Sequence, residues 1–274
     1  MIKRALLALG MVAVLVSAAP ADIPGRYIYY GSSSDLYLND SNWALPDIHI
    51  GAFTHGPVTD IAFNYGTTDL YGIGSGGYSF VLVNKATGAT TIVDSSVDYT
   101  NGLASYERDK FYAASSDGAF YKWELVGGSI VSSPGAAFND INGETSFNGS
   151  NLFVSAGDIW VTSDGATVYA TVTDLTAGYL VTVDPDTAEV DWVATLPSKA
   201  MYGLAEDDNG VLYLLENEQS KKVYKLSGSS LVEMAATTGD TWGATATVVL
   251  PAPAAIVLGL IGMTVLGLKL RKLA

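Results

Sequence analysis

The side chains that could do chemistry in this sequence are mainly carboxylates, because the chain has no cysteine and only two histidines. Asp184 and Asp186 form a close pair, and Glu206, Asp207 and Asp208 form a second group. Carboxylates at this spacing suit Ca²⁺, a hard cation that takes several oxygen ligands. Both groups fall in predicted turns, however, where aspartate bonds its own backbone, and neither matches the calcium-loop motif. We therefore predict no metal site and no cofactor, with calcium as the open alternative.

Nucleophilic catalysis has little support in the sequence. Without cysteine the nucleophile would be a serine or threonine beside a base, and no G-x-S-x-G phrase occurs. His49 alternates with Ile48 and Ile50, so its side chain should point to the polar face of a strand, and His55 follows shortly after. We assign no catalytic residue, and the sequence favours a protein that is not an enzyme.

The first 21 residues predict a secretory signal peptide. Lys3 and Arg4 precede a compact apolar segment, residues 5–16, which small residues follow up to Ala21. This apolar segment is shorter than the roughly 20 residues needed to cross a bilayer. We predict cleavage between Ala21 and Asp22, with a cut one to three residues earlier as the alternative.

The predicted exported body, residues 22–248, is strongly acidic. It contains nine Lys and Arg residues against 28 Asp and Glu residues, a net charge of −19. Such a field repels phosphate backbones, so nucleic acid is not expected as a partner. The charge needs no role beyond solubility.

Since cysteine is absent, stability must come from a hydrophobic core, and the length of the body suffices for one large all-β domain.

A bulky apolar residue followed by tyrosine recurs along the body, and around the last four copies short apolar strands also recur at similar distances before and after it. The copies are Leu36-Tyr37, Leu70-Tyr71, Phe111-Tyr112, Val168-Tyr169 and Leu212-Tyr213. Turn-forming phrases such as DDNG at 207–210 and DPDT at 184–187 separate the strands. A recurrence of this kind predicts four-stranded antiparallel sheets around an axis, a β-propeller. A β-sandwich gives no reason for the same phrase to return.

The repeats predict about five blades. Residues 240–248 resemble a first strand without followers, and residues 26–53 supply three strands without a first one, so we expect these segments to complete one blade. The other blades are expected near 57–95, 100–133, 150–197 and 200–237. Residues 134–157 widen one repeat and are either a long loop or part of a sixth blade.

Two sets of residues in the body could form a ligand site. Asp60, Asn101 and Asp158 come just before predicted inner strands, and a metal-bound cluster of the three at the axis would indicate an enzyme. The inner-strand phrases themselves are small and apolar, which favours a binding module. Several aromatic residues lie outside the repeat register and could stack on sugar rings, although the sequence favours a core position for the tryptophans. They are Tyr29, Tyr30, Trp43, Trp123, Trp192 and Trp242.

The C-terminal segment, residues 249–274, predicts a transmembrane helix over residues 254–270. The uncharged stretch 254–268 would be about 22 Å long as a helix, short for a hydrocarbon core of about 30 Å. Lys269, Arg271 and Lys272 could lengthen it by reaching the interface, and this positive end should stay on the cytoplasmic side. The simplest interpretation is a C-terminal membrane anchor.

The order of parts in this tail resembles the PEP-CTERM sorting signal of Gram-negative bacteria, in which a proline motif precedes a transmembrane run and a basic end. The residues that carry the resemblance are Leu250, Pro251, Ala252, Pro253 and Ala254, followed by the basic residues. The prolines and Ala254 match the family pattern, whereas Ala252 replaces its glutamate and the end mixes lysine with arginine. The resemblance implies recognition by an exosortase-type processing enzyme in the membrane, and an association with exopolysaccharide and biofilm matrices.

Taken together, the sequence predicts an exported β-propeller that acts as an interaction module at the cell surface or in the extracellular matrix. Its expected partners are the processing enzyme, an extracellular polysaccharide or matrix protein, and the membrane before processing. The alternative is a secreted propeller enzyme, a sugar or lactone hydrolase or lyase that uses Ca²⁺.

Overall fold

The structure, a computed structural model, describes residues 27–140, 146–147, 150–151, 153–174, 177–217 and 220–246. The predicted signal peptide and the predicted sorting tail lie outside these residues. Within the described part of the chain, no helix is long and apolar enough to cross a membrane.

The described residues form a β-propeller of five four-stranded antiparallel blades, as the repeats predicted. Blade 1 contains β1 (Tyr27–Gly31), β2 (Asp35–Asp40), β3 (Ile48–Ala52) and β24 (Gly243–Ala246). Blade 2 contains β4 (Asp60–Phe63), β5 (Leu70–Gly74), β6 (Ser79–Val83) and β7 (Thr90–Asp94). Blade 3 contains β8 (Gly102–Glu107), β9 (Lys110–Ala114), β10 (Ala119–Val126) and β11 (Ser129–Ser132). Blade 4 contains β16 (Val154–Val161), β17 (Val168–Thr173), β18 (Gly178–Val183) and β19 (Glu189–Thr195), and blade 5 contains β20 (Met201–Glu206), β21 (Leu212–Glu216), β22 (Lys222–Ser227) and β23 (Ser230–Ala236).

The ring closes as the sequence predicted, because the last strand of the domain pairs with the first. β24 runs antiparallel to β1, with Ile28 opposite Ala246 and Gly31 opposite Gly243. This pairing joins the first and last described strands of the propeller within one blade and leaves neither as an open edge there.

The segment between blades 3 and 4 is a loop with short pairings, and its described residues add no sixth blade. β12 (Ala136–Ala137) pairs with β10, and β13 (Asn139–Asp140) pairs in parallel with β19. β14 (Ser146–Phe147) and β15 (Ser150–Asn151) pair only with each other.

The innermost strand of each blade surrounds the central axis. These strands are β24, β4, β8, β16 and β20. We call the end where they begin the upper face and the end where they finish the lower face. Side chains at their starts can therefore meet, although they are far apart in sequence.

The recurring apolar–tyrosine phrase lies in the second strand of blades 2 to 5, counted from the axis, and in the third strand of blade 1, and it contributes to the core. Leu36, Leu70 and Phe111 are fully buried. The contact between the rings of Tyr71 in blade 2 and Phe111 in blade 3, with centroids 5.7 Å apart, shows that these positions pack neighbouring blades together.

Candidate functional site

Two buried carboxyl groups meet at the propeller axis. Asp60 is the first residue of β4, Asp158 lies in β16, and both side chains are almost completely buried. The two carboxyl groups hydrogen-bond to each other. The sequence had marked both residues by their position near predicted inner strands, and the fold brings them together across the axis.

Backbone amide groups of the other three blades donate to this carboxyl pair. Asp60 Oδ2 accepts from the backbone N–H of Leu103 in β8 at 2.5 Å. Asp158 Oδ2 accepts from the N–H of Leu204 in β20 and from that of Ala244 in β24, the latter at 3.2 Å. One pair of side chains thus connects all five innermost strands.

A β-bulge directs Asp158 toward the axis. The pairing of β16 with β17 shifts between Ser155 and Ile159, so the intervening residues are extra to the ladder. Gly157 within this bulge has a φ of 141°, which favours glycine. The sequence had placed Asp158 before the inner strand, whereas β16 already begins at Val154.

Burial favours the protonated form of this carboxyl pair. Burial raises the pKa of Asp60 well above its usual range, and the neighbouring Asp158 carboxyl raises it further. Burial also raises the pKa of Asp158, against the lowering effect of the Leu204 amide. Asp158 Oδ1 accepts from no donor among the described residues, and a proton shared with Asp60 would satisfy it.

Asn101 does not join this pair. Its Nδ2 donates to the backbone carbonyl of Ser155 at 3.3 Å, and its Oδ1 is buried without a partner among the described residues. The described ranges contain no cluster of three or more His, Cys, Asp or Glu side chains placed to hold a metal ion. Asp60 and Asp158 meet at the axis, whereas the hydrogen bond of Asn101 goes to the backbone of Ser155.

Above the pair, a cavity of about 350 Å³ opens on the upper face. All five blades contribute to its lining, through Thr59, Asn101, Gly157, Tyr202 and Trp242. These residues lie at or near the starts of the inner strands. We call this cavity the axial pocket.

Three of the twelve residues that line the axial pocket are aromatic, namely Tyr99, Tyr202 and Trp242. Tyr202 and Trp242 pack against each other with ring centroids 6.2 Å apart. Tyr99 lines another part of the wall and contacts Tyr78, with centroids 5.2 Å apart, and both of these rings are exposed. Of these residues the sequence had singled out only Trp242. The others come from different blades and share no local pattern.

At the lower face the axis is nearly closed. The cavity there is only about 20 Å³ and is lined by residues including Leu103, Trp160 and Thr245. Glu206 Oε2 accepts from Trp160 Nε1 at 3.0 Å and from the Ser163 N–H at 2.9 Å, which ties blade 5 to blade 4.

The carboxylate groups that the sequence offered for Ca²⁺ have structural partners instead. Asp184 Oδ1 accepts from the N–H groups of Asp186 and Thr187, at 2.7 and 3.2 Å, within its own turn. Asp186 pairs with Lys122 of blade 3 at 2.6 Å. These bonds are the turn chemistry expected for aspartate.

The second carboxylate group behaves in the same way. Asp207 Oδ1 accepts from the N–H groups of Asn209 and Val211, both at 2.9 Å, and Asp208 lies exposed beside Asn209.

A larger groove of about 470 Å³ lies between blades 3 and 4, lined by residues including Tyr106, Tyr112 and Asp184. Residues of two blades line this groove, whereas residues of all five blades line the axial pocket.

The histidines and tryptophans have mixed environments. His49 is exposed in β3 and contacts Asp35 at 2.9 Å, as expected for a surface residue. Trp123 is 1% exposed and belongs to the core, whereas Trp192 is 57% exposed on the outer strand of blade 4. The preference for a core position is thus confirmed for Trp123 and wrong for Trp192.

The comparisons with known proteins establish the fold alone. No protein-family model matches the chain, and no curated protein matches it in sequence. The crystal structure of a nidogen/laminin complex matches with a TM-score of 0.52 at 10% sequence identity, covering 81% of this chain and 98% of that chain. A structural genomics protein of unknown function from Bacteroides thetaiotaomicron matches with a TM-score of 0.49 at 14% identity, covering 78% of this chain and 56% of that chain.

Proposed function

We propose that this protein is an exported β-propeller interaction module of the cell surface or extracellular matrix, whose axial pocket is the contact site for its partner. The observation that carries the proposal is the convergence of all five blades on one open pocket with an aromatic wall. Concave sites with aromatic walls and a few polar groups are the usual form of ligand sites.

Export and sorting form the second part of the proposal. The N-terminal segment has the order of a secretory signal, and the C-terminal segment resembles a PEP-CTERM sorting signal. Proline lacks a backbone N–H group and resists helix, so Pro251 and Pro253 predict an extended segment before the apolar run. An exosortase-type enzyme would then cleave near these prolines and release the body to the cell surface.

Intact mass tests the sorting proposal. The protein is recovered from membrane and extracellular fractions of its native host, as the wild type and with Pro251→Ala and Pro253→Ala combined. We expect a wild-type mass running from Asp22 to near Pro251 in the extracellular fraction, and an unprocessed tail in the variant. The control is Pro46→Ala with Pro134→Ala, two exposed prolines of the body. A wild-type mass that continues through Ala274 would show a plain membrane anchor and refute the sorting signal.

A secreted hydrolase or lyase is the second candidate function, and one observation favours it. The Asp60–Asp158 pair lies at the axis, where an acid and a carboxylate side by side resemble an acid–base couple. Both groups are buried, however, and their oxygens accept backbone N–H groups, so they lack access to a substrate in this state. Hydrolysis of sugar esters or lactones that Asp158→Asn abolishes without unfolding the protein would establish the enzyme instead.

A further inference from the structure

We propose that the axial pocket binds a neutral pyranose unit of a polysaccharide, which stacks on Tyr99 and Trp242. This inference rests on the proposed function, because it names the ligand class of the same site. The C–H groups on one face of a pyranose ring pack on the negative face of an aromatic ring, while its hydroxyl groups need polar partners around it.

The aromatic rings are held in place before any ligand arrives. The Tyr99 ring lies directly on Gly77, where an added Cβ would come within 2.6 Å of it. The Tyr202 ring lies on Gly157, where an added Cβ would come within 3.0 Å. Because these glycines seat the two rings against backbone, little side-chain entropy remains to be lost on binding.

The same rings stay accessible at the mouth of the pocket. Tyr99 is 37% exposed and its neighbour Tyr78 is 57% exposed, with their planes tilted by 53°. Trp242 is half-buried and packs at 55° against Tyr202. Two tilted ring pairs therefore border the pocket, and a sugar chain that leaves it can continue over Tyr78.

The polar part of the wall favours a neutral ligand. Hydroxyl and amide side chains line it, including those of Thr59, Asn101 and Ser116. Among the described lining residues, Lys199 is the one formally charged side chain, and its Nζ donates to the backbone carbonyl of Asp174 at 3.4 Å. The wall thus offers no carboxylate for a cation and no arginine pair for an anion.

The net charge of the body also favours a neutral ligand. The body has a net charge of −19, so uronic acids, sulfated sugars and phosphate-bearing polymers are repelled from its surface. The pocket volume of about 350 Å³ is near the lower end of small-molecule sites. It therefore suits one or two sugar units of a longer chain.

Isothermal titration of the full chain in mild detergent tests the inference. The probes are cellohexaose, maltohexaose, mannohexaose and xylohexaose, with hexagalacturonate as the acidic counterpart. We expect at least one neutral oligosaccharide to bind and the acidic one to bind more weakly. Trp242→Ala and Tyr99→Ala should each weaken the neutral ligand by about ten-fold, whereas Trp242→Phe should stay within a few-fold.

Trp192→Ala is the matched control, because it removes an exposed tryptophan from an outer strand far from the axis. It should leave binding unchanged, and the melting temperature of each variant shows that the propeller is intact. Absence of neutral-sugar binding, preference for the acidic probe, or equal binding by the wild type, Trp242→Ala and Tyr99→Ala would each overturn the inference. An exported protein that binds none of the sugars but binds a matrix protein would still fit the proposed function. A protein that stays unexported would refute that function independently.

Discussion

Asp60 and Gly243 face each other from neighbouring inner strands, with no space between them for a methyl group. A Cβ added at Gly243 would lie 2.2 Å from Asp60 Oδ1 and 2.5 Å from Asp60 Cα. The strand that closes the ring can therefore approach the carboxyl pair only because its first residue is glycine.

Gly243→Ala should destabilise the protein strongly. The methyl group must displace the backbone of β4 or β24, an overpacking cost of about 3 kcal/mol in the free energy of unfolding. Urea denaturation of the full chain measures this change. Gly31→Ala is the matched control, because Gly31 pairs with Gly243 and its added Cβ would make an ordinary contact with Phe53 at 3.4 Å. Equal losses of unfolding free energy in the two variants would contradict the close approach of Gly243 to Asp60.

Stability should fall as pH rises above the pKa of an unfolded aspartate, because burial raises the pKa of the native carboxyl pair. Its pKa is raised in the folded state, whereas an unfolded aspartate loses its proton above about pH 4. The free energy of unfolding contributed by this pair therefore falls above that pH, by up to about 1.4 kcal/mol per pH unit, until the native pair itself ionises.

Asp60→Asn tests this origin of the pH dependence. An amide supplies a permanent hydrogen to Asp158, so the slope of stability between pH 5 and pH 8 should flatten, whatever the change in absolute stability. Urea unfolding at several pH values measures the slope. Asp191→Asn removes an equal charge from an exposed site and should keep the wild-type slope. An unchanged slope in Asp60→Asn would show that the pair holds no extra proton.

Glu206→Ala should weaken the contact between blades 4 and 5. The Trp160 Nε1–H and Ser163 N–H groups would lose their acceptor, at a cost of about 2–4 kcal/mol. Glu206→Gln keeps one acceptor oxygen and should cost less than half of that. Tryptophan emission during denaturation reports the change, with Glu189→Ala at an exposed position as the control. A loss no greater than that of the control would contradict the structural role of Glu206.

Two tryptophans with opposite environments give a direct test of the core. Trp123→Ala removes a buried ring that contacts Phe80 with centroids 6.2 Å apart, and should cost about 3–5 kcal/mol. Trp192→Ala removes an exposed ring and should change the free energy of unfolding by about 0.5 kcal/mol or less. Thermal and urea unfolding of both variants measure the difference. Similar losses would mean that Trp192 is buried in the protein in solution.

The fold was predictable because the information repeats along the chain. Four of the five apolar–tyrosine phrases mark the second strand of a blade, and the unpaired first strand near residue 243 indicated how the ring closes. The loop between blades 3 and 4 left the blade count open, since its short strands resemble those of a blade. Only their pairing with β10, β19 and each other distinguishes the two cases.

The candidate site was only partly predictable. Asp60 and Asp158 stood out by position, but the bulge that turns Asp158 inward depends on pairing with β17. Tyr99 and Tyr202 carry no local signal, because their meeting follows from the convergence of separate blades. Sequence patterns describe strands one at a time, whereas the pocket depends on the arrangement of all five.

The direction of β24 separates attachment from recognition. This strand starts at Gly243 beside the axial pocket and ends at Ala246 on the lower face, so the described part of the chain ends on the side opposite the pocket. Under the proposed function, an anchor or processing enzyme that acts on the C-terminal segment and a polymer in the pocket would therefore not compete for the same face. An anchored protein of this kind would be able to bridge the cell envelope and the material around it.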